Sequence, residues 1–258
     1  MTLPLLPHRE SKPRNKGVAM MMDKGLSLQE ARNIVEVAGH LIDFAKLGFG
    51  TSVVSNNVAE KVKIYRDAGI KVYVGGTLFE AFLIRNDFEG YVKYIEKLGV
   101  DAVEISDGSM YMQHTEKCGY ISHFAKNYTV LSEVGAKDSS VAVDHIQWIH
   151  HMNTELDAGS SLVIGEARES GTVGLYDKSG SADVALIQDI LREVPSHKIM
   201  WEAPLKPQQV WFIKLLGHDV NLGNIAPADI IPLETLRLGL RGDTFFDFLP
   251  QEYQQFKL

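Results

Sequence analysis

The chain has 258 residues, 45% of them hydrophobic and 23% charged, enough for one large core, and its formal net charge is -7. That acidic balance excludes nucleic acid and anionic membrane as general partners, while leaving room for a local basic pocket that takes a small anion. A lone cysteine, Cys118, allows no internal disulfide and fits a reducing cytoplasm, and no run approaches the ~18 apolar residues of a membrane span.

Residues 1–16 hold three prolines and no apolar stretch of signal-peptide length, so they read as an irregular arm, with Lys12-Pro-Arg14 a basic lead into residues 17–258. Val18–Met22 is a short apolar strand that breaks at Asp23-Lys-Gly25, and Ser27 is placed to cap a helix from Leu28 to His40. Ile42–Lys46 is the next strand and ends at Gly48-Phe-Gly-Thr51. A helix over Asn57–Gly69 stops on glycine, and Val72–Val74 runs into Gly75-Gly-Thr77. Phe88–Leu98 is helical; Ala102–Ile105 is a strand that ends in Ser106-Asp-Gly108. A helix within Gly119–Asn127 leads to the strand Val130–Val134, and Val143–Leu156 is a helix closed by Asp157-Ala-Gly159. The strand around Val163 fills with charge at Glu166, Arg168 and Glu169. A helix over Ala182–Val194, the strand Ile199–Glu202, a helix over Gln208–Gly217, the strand Val220–Ile225 and a helix over Leu233–Leu240 complete the chain.

Eight strand-then-helix units with short connections predict a parallel sheet, because parallel neighbours need a crossover. Eight units in a chain of about 250 residues suit a closed (β/α)8 TIM barrel of one domain better than an open doubly wound sheet. Neither Gly48-Phe-Gly50 nor Gly75-Gly76 completes the glycine pattern of a dinucleotide site.

A barrel works at the carboxyl ends of its strands. That edge is expected to carry Asp23, Lys24, Lys46, Glu104, Ser106, Asp107, Glu133, Lys137, Glu166, Arg168, Glu169, Glu202, Asn221 and Asn224. Four successive strands thus each bring a glutamate. Converging carboxylates raise one another's pKa unless a cation neutralises them, and oxygen ligands of this kind suit Mg²⁺. Internal pairing with Lys24, Lys46 and Arg168 is the purely structural alternative. The same cations offer charge to an anion, and Asn221-Leu-Gly-Asn224 with the Gln208-Gln209 helix start offers places for a phosphate. His150 and His151 are adjacent on a helix and point apart, which argues against a ligand pair. No nucleophile elbow appears, and nothing beside Cys118 would activate it. The residues alone therefore indicate a barrel enzyme that handles a small anion with Mg²⁺.

Beyond that chemistry, Met22-Asp-Lys-Gly25, Asp43-Phe-Ala-Lys46, Gly48-Phe-Gly-Thr-Ser52, Val103-Glu-Ile-Ser-Asp-Gly108, Ser132-Glu-Val-Gly135, Glu166-Ala-Arg-Glu-Ser-Gly171, Glu202-Ala-Pro204 and Val220-Asn-Leu-Gly-Asn-Ile-Ala226 resemble the phosphosulfolactate synthase family, in order and along nearly the whole chain. The resemblance implies addition of sulfite to phosphoenolpyruvate with Mg²⁺, giving (2R)-phospho-3-sulfolactate for coenzyme M or sulfolactate formation. It implies Glu104, Glu133 and Glu166 around the metal, with Asp107 and Glu202 as outer members. Lys137 becomes the proton donor at a catalytic centre shared with Glu166 and Arg168. Lys24, Lys46, Arg168, Asn221 and Asn224 would hold the anionic groups of the substrates, and a homo-oligomer is expected. Ala136, Val74 and Phe49 depart from the family pattern, which carries a second lysine, a proline and a tryptophan there. Two other readings follow from the same residues: another barrel lyase or aldolase acting on a phosphorylated acid, and a non-catalytic stress protein, since plant heat-stress proteins also resemble this family.

Overall fold

The structure, a computed structural model, describes residues 3–135, 144–167, 174–176 and 179–257. Its elements run β1 (Ala19–Asp23), α1 (Leu28–Ala38), β2 (Phe44–Leu47), α2 (Thr51–Val54), α3 (Val58–Asp67), β3 (Lys71–Val74), α4 (Gly76–Leu83), α5 (Phe88–Leu98), β4 (Ala102–Ile105), α6 (His114–Phe124), β5 (Thr129–Val134), α7 (His145–Asp157), β6 (Leu162–Gly165), α8 (Val184–Glu193), β7 (Ile199–Glu202), α9 (Lys206–Leu216), β8 (Leu222–Ile225) and α10 (Ile230–Arg237). The strands form one parallel sheet in the order β3-β2-β1-β8-β7-β6-β5-β4, and together with the alternating helices this is the expected (β/α)8 barrel. The barrel is nearly closed. Among the described residues no strand ladder joins β3 to β4, but the Asp101 amide donates to the Val72 carbonyl at 3.1 Å across that seam.

Strand alternation sorts the apolar residues into two clusters. Val18, Met20, Phe44, Tyr73, Ala102, Leu131, Leu162, Ile164 and Met200 fill the inside of the barrel. Their neighbours one residue away, such as Ala45, Val72, Val103, Val130, Val163 and Trp201, face the helices in the larger cluster. The helices are amphipathic to match, and the capping box of Ser27 and Glu30 starts α1 where the sequence places it.

Several boundaries differ from the expected ones. Helix α4 begins at Gly76, straight after β3, where two glycines read as a break; at a helix start glycine is no obstacle, because the first N–H groups have no intrahelical partner anyway. Helix α6 begins at His114 and α10 at Ile230, both earlier than the periodicity implied.

The N-terminal arm crosses the amino-terminal end of the barrel. Arg9 pairs with Asp219 at 2.8 Å and Glu234 at 2.9 Å, Arg14 pairs with Asp43 at 3.0 Å, and Lys12 donates to the carbonyls of Gly39 and Ala68. Lys12-Pro-Arg14 is thus bound at the end opposite the strand-end carboxylates. Two hollows, one under this arm and one lined by Lys63, Arg66 and Lys71, lie at that same end. No helix among the described residues is long and apolar enough to cross a membrane.

Candidate active site

The inward side chain two residues beyond the apolar floor changes character on five strands. Phe44 is followed by Lys46, Ala102 by Glu104, Leu131 by Glu133, Ile164 by Glu166 and Met200 by Glu202. All five charged residues are buried, none more than 6% exposed. One oxygen each of Glu133, Glu166 and Glu202 lies within 4.8 Å of the others. The Lys46 ammonium sits against the group, 2.9 Å from Glu104, 3.4 Å from Glu202 and 3.5 Å from Glu133. Glu104 is doubly committed, since its other oxygen accepts the Gly76 amide at 2.6 Å at the start of α4. Glu202 also accepts the Ala167 amide at 2.8 Å, and its own carbonyl takes the Tyr176 hydroxyl at 2.7 Å.

Burying ions costs several kcal/mol each unless they are paired, so this arrangement is a strong electrostatic statement. Burial opposes the charge on Lys46, but Glu104, Glu202 and Glu133 more than offset it, and the pKa lies well above the ordinary lysine value. Burial pushes the Glu104 carboxyl upward against the pull of Lys46. Burial also pushes Glu202 up to about 8, with Glu133 and Glu104 adding to the shift and Lys46 opposing it. A carboxyl harder to ionise in the folded chain than in the unfolded one favours folding most when protonated. The Glu202 contribution is therefore complete below 4.5 and is lost as pH rises toward about 8. Urea midpoints of the metal-free protein should fall across that window, and Glu202→Gln should flatten the slope; an unchanged slope in the variant would assign it to another group.

The other expected site residues divide by position. Asn224 lies next to the last residue of β8, on the carboxylate side. Its backbone is left-handed (φ 57°), its amide donates to the Ala167 carbonyl at 3.3 Å, and its buried Oδ1 has no hydrogen-bond partner among the described residues. It lines a pocket of about 150 Å³ with Met22, Lys24, Pro204, Leu205 and Ala226. Lys24, exposed at the rim of that pocket, stands over the Phe49 ring. Asn221 lies at the opposite end. Its Oδ1 accepts the Val18 amide and its Nδ2 donates to the carbonyls of His197 and Ile199, so it ties the barrel base. Asp23 is fully buried and taken up by Lys61, the Tyr65 hydroxyl and the amides of Gly25 and Leu26. Gln208 and Gln209 are buried and bonded to Leu205 and Ala203, with no face toward the pocket shown by those bonds. Lys137, Arg168 and Glu169 lie outside the described residues. The His151 ring stacks on that of His114 at 3.8 Å.

Three buried groups beside the site were missed. Glu80 accepts the Ser106 hydroxyl at 2.5 Å and the amides of Ser109 and Met110, which fixes the loop after β4. Lys117 bridges Asp107 and Glu155, each at 2.8 Å, and donates to the Glu133 carbonyl at 2.6 Å. The signal was present: Lys117 shares an i, i+4, i+7 stripe with Ile121 and Phe124, and Glu155 one with Trp148 and Met152. A charge on a buried apolar stripe calls for a partner.

Against known proteins, the family model for (2R)-phospho-3-sulfolactate synthase (ComA) matches residues 7–243. Phosphosulfolactate synthase of Methanocaldococcus jannaschii is 44% identical over 238 residues, covering 89% of this chain and 94% of the relative. That of Bacillus subtilis is 39% identical over 244 residues, 93% of this chain and 97% of the relative. Among solved structures, 3-hexulose-6-phosphate synthase from Salmonella typhimurium superimposes with a TM-score of 0.54 at 14% identity, over 86% of this chain and 98% of that one, a likeness of fold.

Proposed function

Because the chain belongs to the (2R)-phospho-3-sulfolactate synthase family, as a lyase-type enzyme, we propose that it adds sulfite to phosphoenolpyruvate in the cytoplasm, with Mg²⁺ held by the strand-end glutamates. The observation that carries the metal reading is the convergence of Glu133, Glu166 and Glu202 within 4.8 Å in a buried site. Three carboxylate oxygens that close repel one another, and a hard divalent cation with oxygen ligands removes that cost. Glu133, Glu166 and Glu202 would hold the ion, which when bound supplies positive charge where the substrate carboxylate gains electron density.

In the proposed reaction the sulfur lone pair of sulfite forms a bond to the methylene carbon of phosphoenolpyruvate. The π electrons of the double bond move toward the adjacent carbon, which then takes a proton. Lys137 is our proton donor, four residues beyond Glu133. Lys24 and the unpartnered Asn224 oxygen border the pocket at the rim and suit one end of the substrate. Arg168, two residues beyond Glu166, suits bidentate contact with an oxyanion. Lys46 is buried among glutamates, and its charge serves them before it serves any substrate.

Purified protein given phosphoenolpyruvate, sulfite and Mg²⁺ should form phosphosulfolactate; absence of product at every sulfite concentration would overturn the reading. Glu133→Gln should keep the fold and raise the Mg²⁺ concentration for half-maximal rate by about tenfold or more. An unchanged Mg²⁺ requirement in that variant removes Glu133 from the metal shell.

A further inference from the structure

The geometry points to Lys46 as a built-in cation that limits the carboxylate site to a single divalent metal ion. This rests on the proposal that Glu133, Glu166 and Glu202 bind metal, and it assigns Lys46 a task other than holding substrate.

Four buried glutamates converge here, a number that elsewhere serves two metal ions about 3.5–4 Å apart. In this barrel the place of a second ion is taken. The Lys46 ammonium lies 2.9 Å from Glu104, 3.4 Å from Glu202 and 3.5 Å from Glu133, so it bridges the carboxylates that a second ion would bridge. Glu104 has one oxygen in an ion pair with Lys46 and the other accepting the Gly76 amide, so both of its oxygens face those two groups. The remaining carboxylates, Glu133, Glu166 and Glu202, are the three whose oxygens lie within 4.8 Å of one another. Lys46 sets a fixed positive charge at this edge of the carboxylate group, and a second divalent ion bridging the same oxygens would press against that ammonium at close range in a low-dielectric site. Lys46 cannot swing away cheaply either. Its side chain is buried, and the start of α4 packs on it, since a Cβ at Gly75 would lie 3.2 Å from the Lys46 Cε.

The test counts Mn²⁺, a probe for the same oxygen ligands, by equilibrium dialysis and electron paramagnetic resonance, and needs no turnover. The wild-type chain should bind one Mn²⁺ with the resolved hyperfine pattern of an isolated ion. Lys46→Met, of similar shape and no charge, should bind two and lose that pattern to coupling between neighbouring ions. The double variant Lys46→Met with Glu104→Gln removes one charge of each sign and should return to one. Two ions in the wild type, or one in Lys46→Met, would overturn the inference while leaving metal binding intact. No bound Mn²⁺ in the wild type would remove the metal reading itself, and the inference with it. Should Lys46→Met fail to fold, the wild-type count and the double variant still decide: two ions in either, or none in the double variant, refutes the role of Lys46.

Discussion

Lys117→Met should lower stability to urea by about 3–5 kcal/mol, a large share of what holds a single domain together. The lysine is 1% exposed and its ammonium has three partners, the carboxylates of Asp107 and Glu155 and the carbonyl of Glu133. Burial works against its charge, yet Glu155 and Asp107 hold its pKa above the ordinary value. Methionine would fill the space but leave Glu155, with no exposed surface, facing an apolar neighbour. The loss comes from that stranded carboxylate more than from the missing attraction, so Lys117→Met with Glu155→Leu should recover most of it. Unfolding midpoints of the two variants and the wild type separate these terms. A single variant that costs less than about 1 kcal/mol would mean that the pair contributes little.

Lys137→Ala should cut kcat by about two orders of magnitude or more at saturating phosphoenolpyruvate. A proton donor acts in the transition state, and its loss appears in kcat. One anion-binding cation among several is felt mainly in KM. Gly135 is itself closely packed: it has φ 139°, and a Cβ there would lie 2.6 Å from the Glu166 Cβ and 2.8 Å from the Trp148 ring. Glu133, two residues earlier, stands in the carboxylate group. A raised KM with kcat intact would make Lys137 a binding residue, and Lys24 at the pocket rim would be the next donor to test.

The fold was legible because five of the eight strands repeat one message, an apolar inward residue followed two positions later by a charge. Leu131 then Glu133 and Met200 then Glu202 carry both the period of a strand and the direction of its functional end. What the chain order could not display is distance across the barrel. Lys46 comes from β2 and its partners from β4, β5 and β7, so the internal pairing that the sequence offered as an alternative is specified, residue by residue, only when the sheet curls. Chain order likewise did not show that Glu104 lies against Lys46 and the Gly76 amide, while Glu202 lies with Glu133 and Glu166. Asn221 and Asn224 look equivalent in sequence, but three residues along an extended segment separate the base of the barrel from its mouth. Glycine misled at α4, where Gly75-Gly76 opens a helix and brings an amide to Glu104.

The seam between β3 and β4 has a consequence for how the chain assembles. The two strands are successive in the chain, yet they are the edges of the sheet. Inside the sheet the first and last strands, β1 and β8, lie side by side, with Ala19 meeting Leu222 and Met21 meeting Ile225. The hydrogen-bonded ladder therefore runs unbroken only after the first and last strands have found each other, and no succession of neighbour-to-neighbour pairings can substitute for that meeting. Closing so long a loop costs entropy before any contact returns it. Formation of the complete ladder is thus a late event, timed by the last strand of the chain to be made.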